Sequence, residues 1–380
     1  MITVLKDRHP RVAVNILFFI NGFLHANLAA RYPRIQEIFS LDNGQLGLLL
    51  LSTSVGAVLA MPFTGWLIIK NGSRRVGIVS IFSYCLFFPL ITLMPGLSGL
   101  VPVFFLMGVT AGMLDVSMNA QAVMVEKAKA KPIMTSFHAL FSIGMAIGAA
   151  CGSFFISLQT TLSVHLFTIT LASLSASLFA RFHLIQDKPQ EETDGPAFRL
   201  PNAAMVSIGI IAFCCMLGEG AMADWSTNYM EKIAQASKMI APLGLAAFAL
   251  AMTLGRMLGD AARLRFGDRK LMMVCGMIST MGLSMSIFIA QPIVVVLGFF
   301  LVGAGLSVIV PIAYSIAGNS SGVSPGVGLA MVTTVGYTGF LFGPPIIGFL
   351  SVWQTLRMAL LFVVALFILM TWLSYRYESK

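Results

Sequence analysis

Asp115 and Asn119 stand one helical turn apart inside an apolar stretch of roughly residues 100–125. Leaving a carboxylate in hydrocarbon costs at least about 2.5–3.5 kcal/mol on insertion scales, so such a residue faces protein or water and has a task there. A carboxylate beside an amide can take up and release a proton and can hydrogen-bond the hydroxyls of a solute. Seven residues after Asn119, Glu126 falls within about 40° of the same helical face and extends the polar stripe toward one membrane surface. His138 opens the next apolar segment. On an antiparallel neighbour it lies about as deep as Asn119, so Asp115, Asn119 and His138 could share a site in which the imidazole exchanges a proton with the carboxylate. Ser142 follows one turn later as a hydroxyl able to bond a solute.

The second half repeats the theme. In GEGAMADWSTNYM, Glu219 sits between Gly218 and Gly220, which weaken a helix locally, a feature that in transporters accompanies a site or a gate. Asp224, Trp225 and Tyr229 follow toward the outer edge of that segment, where Trp and Tyr are expected in the interfacial aromatic belt and water can reach Asp224. Asn21 and His25 lie one turn apart near the middle of the first segment, with Asn27 and Arg31 beyond them. Pro311 and Tyr314 mark the tenth segment, and Thr334 and Tyr337 the eleventh, ahead of the helix-kinking Pro344 and Pro345. Arg256 and Asp260, four residues apart near the inner end of the eighth segment, can pair on one face.

The elements that must position these residues follow from composition. With 57% hydrophobic and 10% charged residues and a mean hydropathy of +0.88 the chain is no ordinary soluble domain, for which about 25% charge is usual. Twelve apolar segments divide the 380 residues, leaving about 32 for each span and its connection, enough for helices of about 20 residues and short loops. The runs are too long for barrel strands and lack alternation of period two, so the expected fold class is an all-α membrane protein. With the amino terminus inside, eighteen of the 24 lysines and arginines fall on cytoplasmic segments, five fall outside and Arg256 lies within a span, which predicts both termini in the cytoplasm. The net charge of +9 is then a topology signal and not a nucleic-acid footprint. The basic start before an apolar run lacks a good small-x-small cleavage site and is expected to remain as the first helix. The five cysteines all lie in spans without metal-ligand spacing and are expected to pack, so no metal or cofactor is implied.

The long polar connection, containing QDKPQEETDGP, divides the chain into residues 1–182, a loop 183–202 and residues 203–380. The division coincides with a repeat: GWLIIKNGSRR after the second span is echoed by GDAARLRFGDRK after the eighth. Parallel halves of six helices build one large transporter class. Twelve spans, a central loop and a basic Gly-Arg loop in each half resemble the major facilitator superfamily over essentially the whole chain. AARYPRIQEIF, GMLDVSMNAQAVMVE, KPIMTSFHALFSIG, GEGAMADWS and GRMLGDAARLRFG resemble its fucose-permease-like branch.

The resemblance implies two pseudo-symmetric six-helix bundles, a central cavity lined by spans one, four, seven and ten, and a cytoplasmic gate. It makes Asn21, His25, Asn119, Ser142, Asp224, Trp225, Tyr314, Thr334 and Tyr337 cavity candidates and Asp115, Glu219 and His138 proton-coupling candidates. Arg74, Arg75, Glu126, Arg256, Asp260 and Arg265 become gate candidates. The sequence departs from the family where its gate loop usually carries an aspartate, here Ile69, so the acidic half of the usual charge relay is absent from the first copy.

No G-x-x-x-x-G-K-[ST] loop occurs, so ATP does not drive the protein directly, and no H-E-x-x-H or G-x-S-x-G pattern suggests an enzyme. The expectation is a monomeric secondary active transporter of the bacterial inner membrane, with a small sugar-like solute and a proton as partners and the bilayer as solvent. A proton-coupled efflux antiporter for hydrophobic compounds uses the same fold, and a non-transporting membrane sensor is the alternative of another class. The antiporter signature of the superfamily has Gly-Pro in span five, which SIGMAIGAACGSFF lacks; its Gly144, Gly148 and Gly152 instead predict close helix packing.

Overall fold

The computed structural model describes residues 9–129, 133–187, 203–318 and 325–377. Fourteen α-helices are found among them. In the first half they are α1 (His9–Ala29), α2 (Tyr32–Phe39), α3 (Asn43–Asn71), α4 (Ser73–Leu90), α5 (Leu97–Lys129), α6 (Met134–Ser157) and α7 (Leu162–His183). In the second they are α8 (Ala203–Lys232), α9 (Leu243–Phe266), α10 (Asp268–Phe288), α11 (Pro292–Leu306), α12 (Ile309–Gly318), α13 (Pro325–Trp353) and α14 (Leu356–Arg376). Eleven spans among the described residues are long and apolar enough to cross a membrane, α11 and α12 together making one, and the apolar part of α9, Leu243–Gly259, is a shorter twelfth. The chain is therefore a multi-pass helical membrane protein. It divides into two compact units, one of residues 1–41 and 48–193 and the other of residues 42–47 and 194–380. The central connection expected at 183–202 lies outside the described residues from 188 onward.

Two departures from the expected spans have local causes. The connection after α1 is helical over Tyr32–Phe39, begun by Pro33 in the first turn and stopped at Ser40, whose φ of 52° turns the chain left-handed. The tenth span is broken between Leu306 and Ile309. Pro311 has no N–H for the Ser307 carbonyl four residues earlier, so the helix loses a rung there.

The Gly-Arg loops are the same one-residue turn in both units. Gly72 links α3 to α4 with φ 79° and ψ 151°, and Gly267 links α9 to α10 with φ 72° and ψ 163°. A side chain at either position would strain the left-handed backbone, which is why glycine recurs there.

Within the first unit the glycine stripe of α6 lies against α1. A Cβ at Gly144 would run into the Phe19 carbonyl, one at Gly148 into the Phe23 carbonyl, and one at Gly22 into the Phe141 carbonyl. Small residues here let two backbones touch, as in other membrane helix pairs.

Candidate functional site

In the first unit the Asp115–Asn119 pair forms as its spacing requires. Asn119 Nδ2 donates to the Asp115 carbonyl at 2.8 Å and to Asp115 Oδ1 at 3.3 Å. Ser117 and Gln121, on the other side of α5, face α4 through Gly77 and Ser73, so the aspartate looks away from that packed seam. Asn21 of α1 borders the strip, its Nδ2 lying 4.0 Å from Met118 Sδ. Among the described residues no lysine, arginine or histidine makes an ion pair with Asp115. His25, one turn above Asn21, is half-buried.

His138 is placed by the packing of α6 on α1. The glycine stripe pulls α6 onto α1, and the His138 ring packs edge-on to Phe18 at 5.1 Å between centroids. Ser142 is buried and its hydroxyl donates weakly to the His138 carbonyl at 3.4 Å. Glu126 works as a cap: its Oε2 accepts the Ile133 N–H at 2.7 Å where α6 begins, beside a Ser136 hydroxyl that takes a bond from Arg11.

The gate loop of the first unit recovers its missing acid from elsewhere. The Asp187 carboxylate accepts the Ser73 N–H at 2.5 Å and the Arg74 N–H at 3.2 Å, sitting on the open amino terminus of α4. Gln121 holds the same segment in place, donating to the Ser73 hydroxyl and the Ile185 carbonyl and accepting the Ile185 N–H. Arg74 donates to the Arg181 carbonyl at 3.0 Å, and Arg75 is exposed. The second copy carries its own acid, Asp268, which receives two bonds from Arg263, at 2.6 and 3.0 Å. Arg265 is exposed over the Phe266 ring, and the Asp260 side chain lies outside the described residues. Replacing Asp187 by alanine removes a carboxylate from a helix amino terminus and should cost about 0.5–2 kcal/mol, read as a lower unfolding midpoint of the purified protein; Asp187→Asn should recover part of it.

In the second unit Arg256 pairs with Glu219; the pair expected with Asp260 involves a side chain outside the described residues. Arg256 Nη2 lies 3.5 Å from Glu219 Oε1, with both side chains about one-sixth exposed. Glu219 is thirteen residues before the end of α8 at Lys232, and Arg256 thirteen residues after the start of α9 at Leu243, so the two meet at equal depth. The α11–α12 break lies alongside. Cys215, one turn before Glu219, donates its thiol to the Leu306 carbonyl at 3.5 Å, and Gly255 abuts Ser307. Tyr314 reaches Met216 Sδ at 3.9 Å, Tyr337 packs on Phe340, and Thr334 is exposed.

The expected interfacial position of Trp225 and Tyr229 is incorrect: both are 0% exposed and Asp224 is buried with them. α8 runs three residues beyond Tyr229, and the Tyr229 hydroxyl donates inward to the Ser286 carbonyl of α10 at 3.0 Å. All five cysteines are free, and four are fully buried, as packing residues are.

One network escaped the sequence reading. Arg31, just past α1, is 3% exposed and donates from Nε to His165 Nδ1 at 2.8 Å and from Nη2 to Thr160 Oγ1 at 3.2 Å. Because His165 Nδ1 accepts, the ring proton resides on Nε2, which donates to Asn27 Oδ1 at 2.8 Å; Asn27 Nδ2 in turn donates to the Phe23 carbonyl. Phe155 stacks on the imidazole at 4.3 Å. Burial, and then the Arg34 charge, pull the Arg31 guanidinium down to about 10. The signal was available, since His165 is the fourth residue of its helix and Arg31 the second after its own. His165→Ala would leave a buried cation and an amide oxygen short of partners, at a cost of about 2–4 kcal/mol, so the unfolding midpoint should fall by several degrees.

Comparison with known proteins agrees with this architecture. The Major Facilitator Superfamily pattern matches residues 14–260 and again 208–380. An uncharacterized MFS-type transporter of Yersinia pestis is 35% identical over 92% of this chain and 91% of its own. The membrane protein MosC of Rhizobium meliloti is 33% identical over 93% and 86%. Among solved structures, the nucleoside transporter NupG superposes with a TM-score of 0.76 at 12% identity, covering 97% of this chain and 100% of its own. A bacterial homolog of the human lysosomal transporter Spinster gives 0.73 at 13%, covering 97% of each. At such identities these two share the fold alone. The sequence relatives and the matched pattern make the chain a member of the Major Facilitator Superfamily, a multi-pass membrane transporter for a small molecule and not an enzyme.

Proposed function

We propose that the protein carries a small hydroxyl-bearing solute, sugar-like in its chemistry, into the cell across the bacterial inner membrane by proton-coupled symport. The observation that carries this reading is the Asp115 carboxylate, placed within a span, hydrogen-bonded to Asn119 and without a cation partner among the described residues. Such a carboxylate is neutral with a proton and charged without one. Exposed alternately to each side, it can draw on about 2.3 kcal/mol per charge per 100 mV of membrane potential. Asn21 and Asn119 offer amide donors and acceptors of the kind that pair with hydroxyls. The distribution of lysine and arginine supports cytoplasmic termini.

Solid-supported-membrane electrophysiology on proteoliposomes tests the reading, with sugars, nucleosides, amino acids and lipophilic cations applied with and without a pH gradient. Symport predicts an inward proton current evoked by a hydroxylated solute. A response confined to lipophilic cations would transfer the protein to the efflux antiporters, and solute currents indifferent to the pH gradient would remove the proton.

A further inference from the structure

Met273, Met277 and Met281 recur every four residues along α10, and Ile368, Trp372 and Tyr375 keep the matching helical spacing along α14. The two stripes line one groove of about 500 Å³ within the second unit. A Cβ at Gly276 would fall 2.4 Å from Thr371 Oγ1, so glycine lets the helices close at the groove's Thr371 wall. The groove's hydroxyls are spent within their own helices, Thr280 donating to the Gly276 carbonyl at 2.8 Å and Thr371 to the Phe367 carbonyl at 2.7 Å. Nothing along its length asks for a polar partner. Met277, Met281, Ile368 and Trp372 are each about half exposed, so in a membrane span the groove opens to lipid. From Met273 to Met281 it rises about 12 Å, within the roughly 15 Å of one leaflet.

Charge at one end selects the occupant. α10 begins and α14 finishes there, and each brings an arginine to the groove's own rings. Arg269 lies over Tyr375 at 5.2 Å and Arg376 over Trp372 at 5.5 Å. Stacking holds a guanidinium by its face and leaves the N–H groups of its edge for an acceptor. Lys270, over Phe266 at 5.8 Å, adds a third exposed cation. The neighbouring carboxylate, Asp268, is taken by Arg263, and among the described residues no carboxylate pairs with Arg269 or Arg376. An apolar trough confined to one leaflet and ending in two guanidinium forks matches the polarity of a phospholipid, because an acyl chain fits the trough and arginine suits phosphate. Flexible methionine walls adapt to a flexible chain. A zwitterionic head group would set its ammonium beside three cations; an anionic one would not.

We propose that the α10–α14 groove binds one anionic phospholipid, with its phosphate on Arg269 and Arg376 and one acyl chain along Met273, Met277 and Met281. In the orientation proposed above, that lipid belongs to the cytoplasmic leaflet. The site lies in the second unit, apart from the Asp115 strip of the first, and depends neither on the solute carried nor on the coupling ion. Each basic residue near the membrane surface strengthens binding to anionic lipid about fivefold, so the two arginines set an expected preference of about 20-fold over a zwitterionic phospholipid with the same chains.

The test is photolabelling of the full chain in phosphatidylcholine nanodiscs with a trace lipid carrying a diazirine on its acyl chain, with labelled peptides mapped by mass spectrometry. The probe is made with either a phosphatidylglycerol or a phosphatidylcholine head. Label is expected on segments 273–281 and 368–375, about 20-fold stronger with phosphatidylglycerol. Arg269→Gln and Arg376→Gln should each lower that ratio about fivefold, and the double variant should erase it. Met277→Trp keeps both arginines and narrows the groove, so it should lower the label from either probe; the surface arginine variants keep the test decisive if it does not fold. Arg181→Gln removes a guanidinium stacked on Phe182 in the first unit and should leave the label unchanged. Soluble glycerol phosphate should not compete, and competition by it would reduce the site to a phosphate contact without a chain. Equal label from the two heads, a ratio unmoved by the double arginine variant, or label spread evenly over the lipid-facing helices would overturn the assignment.

Discussion

Asp115→Asn should abolish solute accumulation against a gradient while leaving exchange of solute between the two sides of the membrane intact. The asparagine keeps the size of the side chain and an oxygen that Asn119 Nδ2 can still bond, now at 3.3 Å to Asp115 Oδ1, so α5 and its packing on α4 should be undisturbed. What disappears is the proton that the carboxylate can carry. The expected result is a loss of pH-driven uptake of at least about 100-fold, with counterflow within about threefold of the parent, because a proton step removed from the cycle does not remove the rocking of a loaded carrier. Asn119→Ala should act more mildly, since Asp115 keeps its titratable group and loses one hydrogen bond worth about 1 kcal/mol. Full concentrative uptake by Asp115→Asn would exclude this residue as the proton carrier. Loss of counterflow together with uptake would place it in solute binding instead.

What the sequence disclosed depended on whether an interaction is set by local spacing. Asp115 and Asn119 are four apart on one helix, and any helix through them brings them together. The glycine turns at Gly72 and Gly267 were visible as a repeat because only glycine tolerates the left-handed backbone that links two antiparallel helices through one residue. Gly144 and Gly148 announced close packing but not their partner, and the partner decided the fate of His138: with α6 drawn onto α1, the imidazole met Phe18. Asp187 is more distant still. Nothing near Ser73 in the chain indicates that a carboxylate 114 residues later will cap α4. Trp225 and Tyr229 were misplaced because composition marks aromatic residues near a span end as interfacial, and the true end of α8 is Lys232. The same shift hid the Glu219–Arg256 pair, since reading Tyr229 at the outer edge of the seventh segment and Arg256 near the inner end of the eighth sets the two charges at different depths.

That pair supplies the other large effect. Glu219→Gln takes the Glu219 carboxylate from the nearly buried Arg256, and Arg256→Met takes the cation from the nearly buried Glu219. Removing one partner of a buried ion pair costs about 3–5 kcal/mol, and with a 3.5 Å separation and about one-sixth exposure on each side chain a value of about 2–3 kcal/mol is expected for either single change. The double variant Glu219→Gln/Arg256→Met removes both charges and should lie within about 1 kcal/mol of the parent in stability, giving a coupling of at least about 3 kcal/mol in a double-mutant cycle read by reversible unfolding in detergent. Additivity within about 0.5 kcal/mol would mean that the two charges do not sense each other. Transport separates structure from function. If the pair only secures α8 to α9, the double variant should move solute normally. If its charges shift partners as the second unit moves, the double variant should be as stable as the parent and inactive. The second outcome is expected, because burying two ionised groups beside a broken helix is a poor route to stability, whereas an apolar pair would hold α8 and α9 together without it.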